Sequence, residues 1–179
     1  MSATRTVRFD RELDMELQAI ANHSKMTVNA VVNRSVRRFL EWDMHAERFG
    51  IMQASPTLLT TLMIRMPLEE ARRIGRALAK DIVRPSIVDM LGEFTFENTM
   101  EYFRRFAAYA GRFQFEHRIE DRKHVIVIRH PLGSKWSAYY EGMMDGTLHG
   151  ELGIKIEQEV GPETVVTKFI LPETPERNR

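Results

Sequence analysis

An α+β fold in two parts is what the sequence predicts, and three observations predict it. A short alternating run over residues 4–9 leads into two amphipathic helical patterns that end near residue 48. From Pro67 to Ala110 apolar residues then recur at helical spacing. Beyond Phe113, two stretches read as antiparallel hairpins on either side of an aromatic helix. The expected division is an N-terminal strand-helix-helix domain over 1–48, an α+β domain over 49–171, and a solvated tail over 172–179.

Composition sets the class. The chain of 179 residues is 43% hydrophobic and 28% charged, a globular mix. No apolar run approaches the roughly 20 residues of a membrane span, and Met1–Asp10 has no apolar signal core. A cytoplasmic location is therefore expected. With no cysteine, disulfides and thiolate metal sites are excluded. A net charge of +1 rules out a broadly cationic coat, so any nucleic-acid binding must come from a focused patch of cations. Arg5 and Arg8, both ahead of the first acid Asp10, offer such a focus.

Residues 4–9 read Thr-Arg-Thr-Val-Arg-Phe. In a strand, Val7 and Phe9 share one face and Thr4, Thr6 and Arg8 the other. The polar face suits a major groove, where arginine reads guanine and threonine meets bases or a thymine methyl; the same alternation also fits an exposed edge strand. Asp10 is placed to cap a helix that carries Leu13, Leu17, Ile20 and Ala21 on one side. Lys25-Met26-Thr27 makes a turn, and Thr27 caps a second helix from Val28 to about Trp42. Val28, Val31, Val32, Val36, Phe39 and Leu40 give that helix an apolar face too broad for one short unit to bury. A unit of about 45 residues also buries too little surface to stand alone, so two copies are expected. Arg34, Arg37 and Arg38 read as a solvated face, with Glu41 placed to pair with Arg37.

Strand, helix, turn and helix over residues 4–42 resemble the ribbon-helix-helix DNA-binding family of the MetJ and Arc repressors. The resemblance implies an obligate homodimer, or a higher even-numbered oligomer, whose two N-terminal strands form a ribbon in the major groove of double-stranded DNA. It also implies base contacts from Thr4, Thr6 and Arg8, with Arg5 entering under a one-residue change of register. A phosphate clamp follows at the start of the second helix, from Lys25, Thr27 and the N–H groups of Val28 and Asn29. Many members carry glycine in the turn, whereas this chain has His23-Ser24-Lys25-Met26.

Farther along, Ser55-Pro56 can open a helix, although residues 58–64 fit a strand equally well. Pro67-Leu68-Glu69-Glu70 opens a helix with acids in its first turn, and Pro85 is expected to break it. Thr95 caps a helix that Gly111 ends. Phe113 to Ile119 alternates, Glu120-Asp121-Arg122-Lys123 turns, and Val125–Ile128 reads as a strand buried on both faces. Ser134 starts the helix of Trp136, Tyr139 and Tyr140, and a last hairpin turns at Gly161-Pro162. The stretch Tyr139-Tyr140-Glu141-Gly142-Met143-Met144-Asp145-Gly146 through that hairpin resembles small-molecule-binding domains of the four-vinyl-reductase type, without the cysteines and histidines common near their ends. That resemblance implies a sensing role, with Trp136, Tyr139 and Tyr140 as a candidate ligand pocket for a small-molecule effector; such an aromatic stripe also suits a core or a dimer interface.

No metal or other cofactor is expected. His117 and His124 flank a hairpin turn and can meet across it, but His124 and His130 lie about 20 Å apart along a strand. No phosphate-cradling glycine loop, nucleophile elbow or His-Glu-x-x-His motif occurs, so no enzyme is expected. The function expected is a homodimeric, sequence-specific transcriptional regulator with an oligomerising, ligand-sensing larger domain. The alternative is a ligand-binding or assembly module whose N-terminal helices only dimerise.

Overall fold

Local side-chain chemistry starts several of the helices. In the computed structural model, which describes residues 3–110 and 113–171, α1 (Arg11–His23) begins where the Asp10 carboxylate accepts the Leu13 N–H at 2.8 Å. α2 (Val28–Arg38) begins where the Thr27 hydroxyl accepts the Ala30 N–H at 3.1 Å. α2 passes through a π-helical turn, Phe39–Asp43, into α3 (Met44–Arg48). The chain divides into two compact units, Met1–Met44 and His45–Arg179, so the division falls inside this run of helix.

The turn between α1 and α2 is a Schellman motif. Met26 N–H bonds to the Ala21 carbonyl at 2.9 Å and Lys25 N–H to that of Asn22 at 3.2 Å. Lys25 occupies the left-handed position, φ 53°, which favours glycine because a Cβ there crowds the following carbonyl. Lys25→Gly is therefore expected to raise stability by about 1 kcal/mol, read as a higher urea midpoint at unchanged slope. A lowered midpoint would mean that the turn takes another conformation in solution.

Residues 4–9 correct an expectation. No strand forms there; residues 3–10 carry no regular structure and are exposed. A strand exists only as part of a hydrogen-bonded ladder, and among the described residues nothing pairs with this segment.

Residues 56–64 resolve as helix. α4 (Pro56–Met63) starts at Ser55, whose hydroxyl accepts the Leu58 N–H at 3.2 Å, with Pro56 in its first turn. α5 (Leu68–Leu78) does not break at Pro85, contrary to expectation. It continues through a π-helical turn, Ala79–Val83, into α6 (Arg84–Leu91). A proline inside an α-helix clashes with the carbonyl four residues back and lacks the N–H to bond it; the widened turn just before Pro85 relieves that conflict. α7 (Phe96–Tyr109) is capped by Thr95, which accepts the Asn98 N–H at 3.1 Å. Its expected end at Gly111 lies outside the described residues, as does the expected tail over 172–179.

Four strands form one antiparallel sheet, β1 (Gln114–Glu120), β2 (Lys123–Arg129), β3 (Ile156–Val160) and β4 (Thr164–Ile170), in the order β1-β2-β4-β3. The two hairpins thus join along β2 and β4. Asp121 (φ 49°) and Arg122 (φ 79°) make the first turn with both central residues left-handed, as a two-residue hairpin requires. One sheet face gathers Phe115, His117, His124, Ile126, Ile128, Val165, Thr167 and Phe169. α7 covers part of it, with Phe96 edge-on to His124 and Phe169, and Phe103 stacked on Phe115. On the opposite face of β2, Val127 is buried and Val125 half-buried. The strand is therefore enclosed on both sides along only part of its length.

α8 (Ser134–Met144) continues as a π-helical stretch, Asp145–Glu151, and lies alongside α5. The pairing rises in step along both helices, with Arg72 on Glu141, Arg76 on Asp145 and Arg84 on Glu151. The two therefore run in the same direction. Gly75 and Gly142 form the seam, where backbone meets backbone without an intervening side chain, and Gly146 extends it against Ala79 and the Arg76 backbone.

Candidate nucleic-acid interface

The Met1–Met44 unit carries the residues expected to meet DNA. Thr4, Arg5, Thr6 and Arg8 are all exposed, directly ahead of the Asp10 cap. Among the described residues, neither Arg5 nor Arg8 has an ion-pair partner. By contrast Arg37 pairs with Glu41 at 3.3 Å and Arg38 with Asp43 at 3.2 Å. Arg5 and Arg8 are therefore free to meet an external anion.

Lys25, Thr27, Val28 and Asn29 come together at the start of α2. Because the Thr27 hydroxyl takes the Ala30 N–H, the N–H groups of Val28 and Asn29 remain at the positive end of the helix dipole. Among the described residues they have no acceptor. Lys25 and Asn29 are exposed and Val28 is half-buried. Asn29 is steadied by Asn33, whose amide donates to the Asn29 carbonyl at 2.8 Å. The opening of α2 thus offers two N–H groups and one ammonium to an anion.

The apolar faces of the unit are uncovered. Val7, Met15, Ile20, Val36, Phe39 and Leu40 are each more than half exposed. Only Ala21, Val31 and Trp42 are buried within residues 3–44.

Trp136, Tyr139 and Tyr140 lie in the second unit and border one pocket of about 170 Å³. Phe106 and Ala110 complete one side of it, and Ile51, Met52, Ala54 and Leu59 the other. Burial pushes the Tyr139 hydroxyl up to about 12 and raises Tyr140 further, so both stay neutral. Trp136 donates its indole N–H to the Leu59 carbonyl at 3.3 Å. Ile51, Met52 and Ala54 belong to no helix or strand and carry no periodic signal in the sequence, which is why only the aromatic side was legible.

A larger, open cleft of about 660 Å³ lies beside the β2 end, lined by Phe113, Arg129, His130 and Glu163 among others. Arg129 and His130 already have partners. Arg129 pairs with Glu116, while the buried His130 accepts the Leu132 N–H through Nδ1 at 3.2 Å and meets the Ser137 hydroxyl through Nε2 at 3.1 Å. The Ser137 hydroxyl donates to the Pro162 carbonyl at 2.9 Å, so His130 must donate from Nε2, which fixes its neutral tautomer.

His117 and His124 do meet across the hairpin, as diagonal neighbours with Nε2 and Nδ1 2.9 Å apart. Burial lowers both, with the neighbouring His124 adding to the effect on His117. Among the described residues no group of three histidine, aspartate or glutamate side chains gathers as a metal cage, and no helix is long and apolar enough to cross a membrane. No family model, curated protein or solved structure matches the chain.

Proposed function

We propose that the chain is a homodimeric, sequence-specific DNA-binding regulator of ribbon-helix-helix type. The observation that carries this reading is the uncovered apolar surface of the Met1–Met44 unit. Val36, Phe39 and Leu40 on the second helix and Val7 at the N-terminus stay exposed in one chain. At about 25 cal/mol per Å² of apolar area removed from water, such a surface favours closure against a second copy. Closure of that kind brings two copies of residues 4–9 together, giving each the ladder partner it lacks alone. Thr4, Thr6 and Arg8 then form the polar face of a two-stranded ribbon suited to a major groove, with Arg5 at its edge. Lys25, Thr27 and the N–H groups of Val28 and Asn29 hold the flanking phosphate. The larger unit serves oligomerisation and sensing of a small-molecule effector.

Fluorescence anisotropy with DNA from upstream of the protein's own gene tests this reading, with and without excess random competitor and at two salt concentrations. Binding should survive the competitor and weaken with salt according to its phosphate contacts. Arg8→Ala should cost about 1–3 kcal/mol of specific binding while sedimentation shows the dimer intact. Binding abolished by random competitor would favour an assembly module whose N-terminal helices only dimerise. An unchanged affinity would remove Arg8 from the reader.

A further inference from the structure

The pocket behind Trp136 has walls of two kinds. One is helical and aromatic: Phe106 from α7 and Trp136, Tyr139 and Tyr140 from α8. The other is made by Ile51, Met52 and Ala54, on the linker leaving α3, and by Leu59 of α4. Met52 is 83% exposed, and α4 buries only Met63. Ser55 caps α4 from within, and the Trp136–Leu59 and Lys135–Ile64 hydrogen bonds tie α4 to α8.

We propose that this pocket is an effector site for a small, uncharged aromatic molecule of one or two fused rings. Its size fits: the pocket measures about 170 Å³, and an apolar cavity of about 150 Å³ takes a benzene-sized guest. Its lining fits as well, because no charged side chain borders it and an ion buried there would go unpaired. The rings around it stand edge to face, Trp136 on Tyr139 at 5.0 Å and 68° and Tyr139 on Tyr140 at 5.3 Å and 72°. That leaves ring faces and edges for a further aromatic partner. The indole N–H is already committed to Leu59, so recognition is by shape and apolar contact.

Occupancy acts on the linker. A guest packs against Ile51, Ala54 and Leu59, supplying contacts that an empty pocket lacks, and orders the wall on which Met52 lies. That wall is the stretch of chain leading back to the N-terminal unit. Any effect on DNA affinity rests on the regulator reading above, whereas uptake of the ring does not.

Titration of the full chain with toluene by calorimetry tests the site, with methylcyclohexane and benzoate as shape and charge controls. Saturable uptake of one toluene per chain is expected, with benzoate excluded. Ala54→Phe and Leu59→Phe, which each fill the pocket from the linker side, should weaken toluene at least tenfold while thermal unfolding still reports a folded chain. Failure to saturate up to the solubility limit overturns the proposal. So does full affinity in both filled variants, or benzoate binding as well as toluene. Toluene uptake without specific DNA binding leaves this site standing and removes the regulator reading; specific DNA binding without uptake does the reverse.

Discussion

Gly142→Ala should cost the larger unit at least about 4 kcal/mol, the range of the most severe single substitutions, and should leave much of the chain unfolded at room temperature. An added Cβ at Gly142 falls 2.0 Å from the Arg72 carbonyl oxygen. Gly75 mirrors it, with its Cβ position 2.0 Å from the Tyr139 carbonyl oxygen. These obstacles are backbone atoms inside helices, so no side chain can rotate away; α5 and α8 must separate. Separation would also pull apart the Arg72–Glu141 and Arg76–Asp145 pairs that flank the seam and open the contact between buried Ala71 and Ala138. Gly150→Ala is the internal control, because its nearest non-neighbour atom is 3.9 Å away and the site is exposed. It should change stability by no more than about 0.5 kcal/mol. Urea unfolding followed by far-ultraviolet circular dichroism separates the two. A Gly142→Ala midpoint equal to that of Gly150→Ala would mean that α5 and α8 do not touch along this seam.

That seam also shows where sequence reading stops. Asp10, Thr27, Ser55 and Thr95 were legible as caps because each serves an N–H three residues away, and such chemistry needs no distant partner. The hairpin at Asp121-Arg122 was legible for the same reason, and with it the meeting of His117 and His124. Gly75 and Gly142 look like ordinary helix interruptions until the other helix is known, because their role is the room they leave for it. Pro85 misled for a related reason: whether a proline ends a helix depends on whether the preceding turn can widen, and here the widened turn packs beside the one that follows α8. Residues 4–9 present the converse problem. Their alternation is visible, but a ladder needs a second strand that one chain does not supply. In the candidate pocket, the aromatic wall of Trp136, Tyr139 and Tyr140 followed from helical spacing. The linker wall did not, since Ile51 to Ala54 belong to no periodic element.

Acid should weaken the larger unit well above the range where carboxylates protonate, and His130 should be the main cause. His130 is 4% exposed, and burial lowers it from its ordinary 6.5 to about 4. The hydrogen bonds explain why it resists charging. Nδ1 is occupied by the Leu132 N–H, so a proton added there would face another donor. The sign follows directly. Between pH 6.5 and about 4 the unfolded chain holds the extra proton and the folded chain does not, so stability is complete above 6.5 and is lost as pH falls through this window. The interval between 6.5 and about 4 corresponds to about 3 kcal/mol at about 1.4 kcal/mol per unit. His117 and His124, also lowered by burial, act in the same direction. The carboxylates held low by arginine or histidine partners, Asp89 and Glu116 among them, add their loss in more acid solution. Denaturant unfolding across this range should show the slope, and His130→Gln should flatten it by about one proton, roughly 1.4 kcal/mol per pH unit, whatever its effect on stability at neutral pH. Proton resonances of the His130 ring should stay at their neutral positions down to about pH 5, since the folded ring titrates only near 4. A His130 ring that titrates near its ordinary value, or a slope that persists in His130→Gln, would show that the Leu132 and Ser137 contacts do not hold this histidine neutral.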